Sequence, residues 1–541
     1  MSTANTATVS MSGKTTLPPV LGRLLSGTFW LALRVPLQVV FSLWTTRLIL
    51  QAIGPVENGA YYFAWGFGFF QYLFEFGASS ALQRQISDAW TRGDRDGVDR
   101  AIACGLNFYT AMAVVQIAAL LGMAYWALPY TTLEVSSYPL VVKLLWLQAV
   151  TAPCFGFSVV VSSVLQAARR YDFVPRYELA IVIFRFLVLV LGLSAGIDFF
   201  WVVAAQTAVQ VGLGLGPALW VMVRELGHSP HFHGARWTDY KALGHISVYI
   251  ALIQISIVLA DRLDIAVLGF LVPIDSEAAI TVYSVVSKPF VQLRQTGWML
   301  AYLVMPAVAS LAAARDLRGL DRVKYDGTRL HIGVLLPVGL LAFIYAAPFL
   351  SLWIGDGQWA DIRALGYDLS DVARLMRLFL IAAIPLVLSV PVQMCIGINK
   401  IKVIALSVLA GSVINLPISC YLTTRLGVAG VIWGTVLTTL FSNLLVPGIY
   451  VFQALEIDVS AYLKRTLAAP LAGGAALIAS TCALQILMPV TYTGITLWSR
   501  ALPLILHLTV GTIAYMGAYL LVPVGRGDLV ELASKMRRKR G

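Results

Sequence analysis

The sequence predicts an all-α polytopic membrane protein with about 14 transmembrane helices. Of its 541 residues, 59% are hydrophobic and only 12% are charged, whereas an average soluble protein is about 45 to 50% apolar and about 25% charged. The mean hydropathy is +0.79, so the apolar residues are too numerous to be buried inside a water-facing globule. This composition excludes an ordinary soluble enzyme and leaves no room for a large soluble domain.

Fourteen apolar segments are each long enough to cross a bilayer, because a spanning helix needs about 20 mainly apolar residues. They lie near 25–50, 59–81, 101–127, 140–166, 172–195, 199–223, 245–271, 280–310, 330–353, 371–397, 403–422, 427–453, 466–488 and 499–522. With a cytoplasmic N-terminus, the inside segments hold twenty-seven Lys and Arg, and the outside loops hold only Arg363 and Arg425. Cytoplasmic loops carry such an excess of cations, so we expect both termini in the cytoplasm.

An internal repeat divides most of the chain into two halves, because short matches recur in the same order. The matches include Arg47 with Arg262, Tyr61 with Tyr283, Arg170 with Lys400, and Gly196 with Gly427. Each half contains six spans, an even number, so the halves share one orientation and are related by an axis along the membrane normal.

The repeat predicts two six-helix bundles around a central cavity, with an extra helix pair that has no counterpart. We expect a disordered cytoplasmic tail at 1–22, an N-terminal bundle at 23–226 and a cytoplasmic linker at 227–244. The C-terminal bundle is expected at 245–456, the additional helix pair at 457–524 and a basic cytoplasmic tail at 525–541.

The chain shows no sign of enzyme chemistry. Its five cysteines lie in apolar segments without a CxxC pair, and the histidines of the 228–233 loop have no second ligand cluster. A phosphate-binding GxxxxGK[ST] loop and a Ser/His/Asp constellation are both absent from the sequence. We therefore expect no catalytic residue, no metal and no cofactor. The net charge of +12 is explained by the inside loops, so we expect no nucleic-acid partner.

Ionisable residues within the spans carry the functional argument, because a charge at the bilayer centre costs at least about 2.5 kcal/mol. Six cations and three acids qualify: Arg34, Arg47, Arg185, Arg262, Lys288, Arg294, Glu75, Asp261 and Asp264. Such residues face a wet interior or one another. The excess of cations indicates a cavity that favours an anion.

Helical spacing leaves alternatives open for each of these side chains. Arg34 shares one face of span one with Gln38 and Thr45, and this face either lines the cavity or packs polar groups against other helices. Glu75 either faces the cavity or forms a structural salt bridge. Lys288 lies about 12 Å from the outer end of its predicted span, so it either reaches the cavity or snorkels to the surface.

Span seven holds the densest group of charges. Asp261, Arg262 and Asp264 lie close to the midplane, and adjacent residues on a helix point in different directions, so partners on other spans are implied. The trio either takes part in substrate binding or ion coupling, or forms a structural network. Arg185 shares a helical face with Glu178, so it either forms a structural pair with that acid or belongs to a ligand site.

The run from Arg47 to Arg84 resembles bacterial flippases for polysaccharides and lipid-linked oligosaccharides. These flippases belong to the multidrug/oligosaccharidyl-lipid/polysaccharide exporter superfamily. The matching motifs are Arg47 to Gly54, Gly59-Ala-Tyr61, and Phe76-Gly77 with Ala81 and Arg84. The stretch from Asp261 to Gly269, with Tyr283 and Pro306, is similar to the second-half signature of that family.

The resemblance implies a monomeric flippase of the bacterial inner membrane that moves undecaprenyl-pyrophosphate-linked oligosaccharide by alternating access. Its expected partners are this substrate, membrane lipids and a coupling ion, H⁺ or Na⁺. Because Arg binds pyrophosphate with charge-assisted hydrogen bonds, we expect the anionic headgroup site at Arg34, Arg47, Arg262 and Lys288. Glu75, Asp261 and Asp264 are then coupling groups or charge partners. The alternatives are a multidrug/cation antiporter of the same superfamily and a membrane-embedded glycan polymerase or ligase.

Overall fold

The computed structural model describes residues 19–75, 78–168, 170, 173–244, 248–273, 275–302, 304–490 and 497–528. Within these residues the chain is helical and contains no β-strand. The helices are α1 (Pro19–Gly66), α2 (Phe70–Glu75), α3 (Ala78–Arg92), α4 (Arg95–Gly122), α5 (Tyr138–Ala167), α6 (Phe173–Ser194), α7 (Phe199–Trp220), α8 (Trp237–Gly244), α9 (Val248–Leu271), α10 (Ser276–Tyr302), α11 (Val304–Ala313), α12 (Leu317–Arg322), α13 (Thr328–Ile344), α14 (Ala346–Ile354), α15 (Asp356–Ala364), α16 (Leu369–Ile381), α17 (Ser389–Gly397), α18 (Lys402–Leu426), α19 (Val428–Thr439), α20 (Val446–Ala454), α21 (Val459–Ala461), α22 (Ala468–Leu487) and α23 (Leu497–Leu521).

The predicted fold class is confirmed, because the chain is an all-helical polytopic membrane protein. A helix lies at each of the fourteen predicted positions. Among the described residues, 12 helices are long and apolar enough to cross a membrane, and one of them, Pro36–Gly66, covers parts of the first two predicted spans. Short π-helical segments interrupt several spans, for example at Met123–Ala127 and Leu440–Leu445. Such bulges occur inside helices without loss of the backbone hydrogen bonds that a bilayer requires.

Helix α1 contains two spans that meet at a sharp turn. Gly54 has a φ of 73° and a ψ of 176°, so it is not helical. Glycine adopts this conformation without steric cost, and Pro55 then starts the second span with a φ already suited to a helix. We call the membrane side that bears this turn the Gly54 side. The opposite side, where the loop before Arg95 lies, is the Arg95 side.

The two halves of the chain meet on the Gly54 side. We call residues 19–244 the N-half, residues 248–454 the C-half, and helices α22 and α23 the appended pair. The largest buried apolar cluster draws residues from both halves, for example Phe63 and Val282. On the Arg95 side, the described residues form separate clusters, one around Leu82 and Met222 of the N-half and one around Val451 of the C-half.

Two contacts between α1 and α10 are related in the way that a two-fold axis between the halves requires. A Cβ atom added to Gly59 would overlap the Glu277 carbonyl oxygen, and the Thr281 hydroxyl donates to the Pro55 carbonyl oxygen at 2.6 Å. Tyr61 and Tyr283 are 222 residues apart. The same separation relates Gly59 to Thr281 and Pro55 to Glu277, so the two contacts are images of each other. This exchange supports the predicted two-fold repeat.

Candidate functional site

The boundary between the halves contains a cation at membrane depth. Lys288 is the thirteenth residue of α10, which starts at Ser276, so it lies about 18 Å from the Gly54-side end of the helix and deeper than predicted. Its Nζ is 3.5 Å from the Ser42 hydroxyl of α1 and 5.8 Å from the centre of the Tyr62 ring. Gln292 Nε2 lies 3.4 Å from the same hydroxyl.

No described carboxylate neutralises Lys288. Its neighbours are a hydroxyl and an aromatic ring, and no Asp or Glu oxygen of the described residues lies within 4.0 Å of its Nζ. A cation at this depth is costly without a counter-charge or water. The boundary beside Ser42 is therefore suited to an anionic group.

Arg34 of α1 forms a salt bridge with Glu178 of α6, and both belong to the N-half. The side chains are 24% and 35% exposed, so the pair remains accessible. This contact corrects one of the two interpretations of Arg185, because Glu178 pairs with Arg34 and not with Arg185. Sequence spacing favoured the wrong partner because it compares residues on one helix, whereas the bridge joins two helices.

Glu75 ends helix α2 and is 7% exposed. One carboxylate oxygen accepts a hydrogen bond from the Tyr109 hydroxyl at 3.2 Å and another from the Ser79 backbone N–H at 3.2 Å. Among the described residues, no cation lies within salt-bridge distance of Glu75. The acid thus satisfies a backbone donor in the first turn of α3, where helices leave N–H groups unpaired.

Asp264 of α9 lies in the interior of the C-half and is 1% exposed. Its Oδ2 accepts hydrogen bonds from the Tyr283 hydroxyl of α10 at 2.7 Å and from the Thr435 hydroxyl of α19 at 2.9 Å. The prediction that partners on other spans hold this acid is confirmed. The carboxylate is therefore surrounded by hydroxyl oxygens at the junction of three helices.

A second set of polar side chains continues from Asp264. The Asn415 side-chain oxygen accepts from the Ser419 hydroxyl at 3.0 Å and from the Thr438 hydroxyl at 3.2 Å. Thr438 lies one turn after Thr435 on α19 and contacts its carbonyl oxygen at 3.3 Å. We call Asp264, Tyr283, Asn415, Ser419, Thr435 and Thr438 the C-half polar cluster.

The four uncharged residues on α18 and α19 were missed by the search for charges. Asn415 and Ser419 are four residues apart, and Thr435 and Thr438 are three apart, so each pair lies on one helix face. That spacing is the signal that could have found them. An arrangement of a carboxylate, an amide oxygen and hydroxyls is suited to a proton or a hard cation such as Na⁺, because hard cations prefer oxygen ligands.

The other predicted site residues do not all lie beside Lys288 or in the C-half polar cluster. Asp261 and Arg262 lie on α9, but their side chains are outside the described part of the structure. Arg47 lies near the Gly54 side, where its Nη1 donates to the Leu352 carbonyl oxygen of the C-half at 3.1 Å. It is thus a contact between the halves and is separate from Lys288.

By sequence, neither a protein-family model nor a curated protein matches the chain. Solved structures do match. The lipid II flippase MurJ in an inward closed conformation has a TM-score of 0.68 at 12% identity, and the match covers 94% of this chain and 100% of that one.

Two MATE transporters are also similar in structure. An inward-facing transporter of the MATE family, in the MOP superfamily, has a TM-score of 0.58 at 14% identity over 77% of this chain and 95% of that one. A eukaryotic MATE transporter has a TM-score of 0.56 at 13% identity over 80% of this chain and 96% of that one. This chain therefore has the fold of the transporters of the MOP superfamily.

Proposed function

We propose that this protein is a flippase that moves undecaprenyl-pyrophosphate-linked oligosaccharide, or a related polysaccharide precursor, across the bacterial inner membrane. The observation that carries the proposal is Lys288, a cation at membrane depth on the boundary between the halves, without a described counter-charge. The sequence resemblance and the similarity to a lipid II flippase support the same class of substrate. Both termini lie in the cytoplasm in this proposal.

The pyrophosphate supplies the counter-charge that Lys288 lacks. Phosphate oxygens accept hydrogen bonds from the Lys288 ammonium group and from the Ser42 and Gln292 side chains. Lys288 Nζ lies 3.5 Å from the Ser42 hydroxyl, and Gln292 Nε2 lies 3.4 Å from it. Arg34 adds a second cation when the phosphate competes with Glu178 for its guanidinium. The polyprenyl tail stays in the lipid while the headgroup crosses between the halves.

The C-half polar cluster couples this movement to an ion. Binding of H⁺ or Na⁺ at Asp264 changes the charge of a buried carboxylate that joins α9, α10 and α19. Lys288 lies on α10 five residues after Tyr283, whose hydroxyl donates to Asp264. An ion bound at the cluster thus acts on the helix that carries the headgroup site.

A multidrug/cation antiporter is the second candidate, favoured by the structural similarity to two MATE transporters. A cationic drug needs an acid at the boundary, because opposite charges attract in a low-dielectric cavity. Beside Ser42, the described ionisable side chain at the boundary is the cation Lys288 instead. This difference favours the lipid-linked anion over a cationic drug.

The test is a deletion strain in which the side of the membrane that holds the lipid-linked oligosaccharide is determined. The proposed function predicts that the oligosaccharide accumulates on the cytoplasmic leaflet and that a plasmid copy of the gene restores its export. Drug sensitivity without a glycan defect contradicts the proposal and supports the antiporter. Single repeat units left outside contradict it as well and indicate a polymerase.

A further inference from the structure

An ion network on the Gly54 side joins the appended pair to the C-half. Arg500 of α23 donates two hydrogen bonds to Asp356, the first residue of α15, and both N–O distances are 2.7 Å. Such bidentate pairing fixes the orientation of a carboxylate. Arg500 is 9% exposed at its side chain, whereas Asp356 is 69% exposed. The appended pair thus supplies a buried cation that holds an exposed acid in place.

Arg47 of the N-half lies next to the residue before this acid, because a Cβ atom added to Gly355 would be 3.3 Å from its Nη2. Arg500 and, to a lesser extent, Arg47 hold the pKa of the Asp356 carboxyl below its usual value. Arg47 also donates to the Leu352 carbonyl oxygen, and Trp353 of α14 donates to the Leu43 carbonyl oxygen at 2.8 Å. The segment from Leu352 to Asp356 therefore contacts α1 through a backbone carbonyl and an indole, and its acid is attracted by the Arg47 charge.

We propose that Arg500 is a positioning residue that orients Asp356 toward Arg47, and that this network latches the Gly54 side closed. The inference rests on the alternating access of the proposed function, because that cycle requires the halves to separate on the Gly54 side. Opening moves α1 away from α14 and α15 and breaks the attraction between Arg47 and Asp356. Arg500 keeps the acid on the C-half throughout. This assigns a role to the appended pair, which the internal repeat leaves without a counterpart.

The test measures closure of the Gly54 side directly. Asn58 and Thr281 are in contact across the halves, with an N–O distance of 3.1 Å, so a cysteine at each position in a cysteine-free chain reports the closed state by disulfide formation. Crosslinking is followed in membranes without substrate, using a membrane-permeant oxidant. Crosslinking therefore tests the closure of the Gly54 side even if the protein does not transport the lipid-linked oligosaccharide. Conversely, a crosslinking result that contradicts the closure network leaves the proposed flippase function to be tested separately.

Four variants are compared with the parent. In D356N the acid is neutral, and in R500Q it loses its orienting partner. The exchange D356R/R500D keeps an ion pair with α23 but sets two cations against each other at Arg47. The control is R363Q, which removes an exposed ion pair with Asp368 on the same side of the membrane.

The latch predicts that D356N, R500Q and the exchange each lower the crosslinking rate about two- to fivefold, the range expected when a partly exposed ion pair is lost. R363Q keeps the rate of the parent. Because its pKa is lowered, Asp356 stays ionised between about pH 5 and pH 8. We therefore expect the crosslinking rate of the parent, corrected for thiol ionisation, to be constant over this range. A crosslinking rate in D356R/R500D equal to that of the parent overturns the proposal, because the ion pair then serves only to attach α23 to the C-half. An unchanged rate in D356N overturns it equally.

Discussion

Glu178 of the N-half and Asp264 of the C-half are held in different ways. In the N-half, Glu178 forms a salt bridge with Arg34. In the C-half, Asp264 is buried among the hydroxyls of Tyr283 and Thr435. The arginine partner neutralises Glu178, whereas the hydroxyl oxygens beside Asp264 are ligands that suit a hard cation such as Na⁺. These two acids are thus held by different chemistry within one fold, and ion coupling is proposed for Asp264.

The largest effect is expected at Asp264, where the C-half differs most from the N-half. We expect Asp264→Asn to lower transport at least about tenfold, because a tenfold loss needs only about 1.4 kcal/mol of lost interaction and the variant removes the charge that a coupling ion binds. Transport into vesicles is measured with and without a Na⁺ or pH gradient. The matched control is Asp275→Asn, an exposed acid of the same half. Equal gradient dependence in Asp264→Asn and the parent would disprove coupling at this site.

The second effect concerns the cation on the boundary between the halves. We expect Lys288→Gln to lower transport about fivefold, because one charge-assisted hydrogen bond to a phosphate contributes roughly 1 kcal/mol beyond a neutral one. Lys288→Arg keeps most of the activity, since the charge remains. The measurement is flippase complementation with the amount of protein in the membrane determined separately. Full activity of Lys288→Gln would remove the main support for an anionic headgroup site.

The Arg34–Glu178 pair separates a binding role from a structural role. If Arg34 binds the headgroup, Glu178→Gln frees its guanidinium and keeps or raises transport, whereas Arg34→Ala lowers transport about threefold. Arg34→Lys is only partly tolerated, because an ammonium group cannot reproduce bidentate phosphate binding. Transport and thermal stability of the purified variants are both measured. Equal loss of stability in Arg34→Ala and Glu178→Gln, with transport unchanged per folded molecule, would make the pair purely structural.

The smallest effect is expected for the cysteines. The described structure contains Cys104, Cys154, Cys395, Cys420 and Cys482 as free thiols. None of them contacts the Lys288 boundary or belongs to the C-half polar cluster. We expect a fivefold Cys→Ser variant to transport within about twofold of the parent, because surface and small core changes cost little. Loss of transport in a variant that still inserts and folds would point to a thiol role that neither half explains.

Hydropathy predicted a helix at each position where the described structure has a candidate span, because a bilayer requires long apolar helices. It could not locate the C-half polar cluster. Threonine and serine hydroxyls bond to carbonyl oxygens of their own helix, as Thr438 does to Gly434, so they appear neutral in an apolar segment. The contact of Thr435 with Asp264 joins residues 171 positions apart. It depends on how α9 packs against α19.

Charge patterning predicts orientation from whole loops but does not say where an individual cation lies. Arg329 counts among the cytoplasmic cations that predict orientation, yet the structure buries it at 4% exposure. Its guanidinium binds Asp528 and Asp326 and donates to the Arg465 carbonyl oxygen at 2.7 Å. A loop cation and a buried ion-pair partner look the same in a sequence, because the partner here is 199 residues away.

An anionic headgroup site is tested most directly with two lipids that share the undecaprenyl chain and differ in the pyrophosphate group. The purified full-length protein is titrated with undecaprenyl pyrophosphate and with neutral undecaprenol, and the Kd of each is measured for the parent and for Lys288→Gln. We predict that the parent binds the pyrophosphate at least about tenfold more tightly, which corresponds to about 1.4 kcal/mol, and that Lys288→Gln removes most of this difference. Equal affinity of the parent for the two lipids would contradict an anionic headgroup site between the halves.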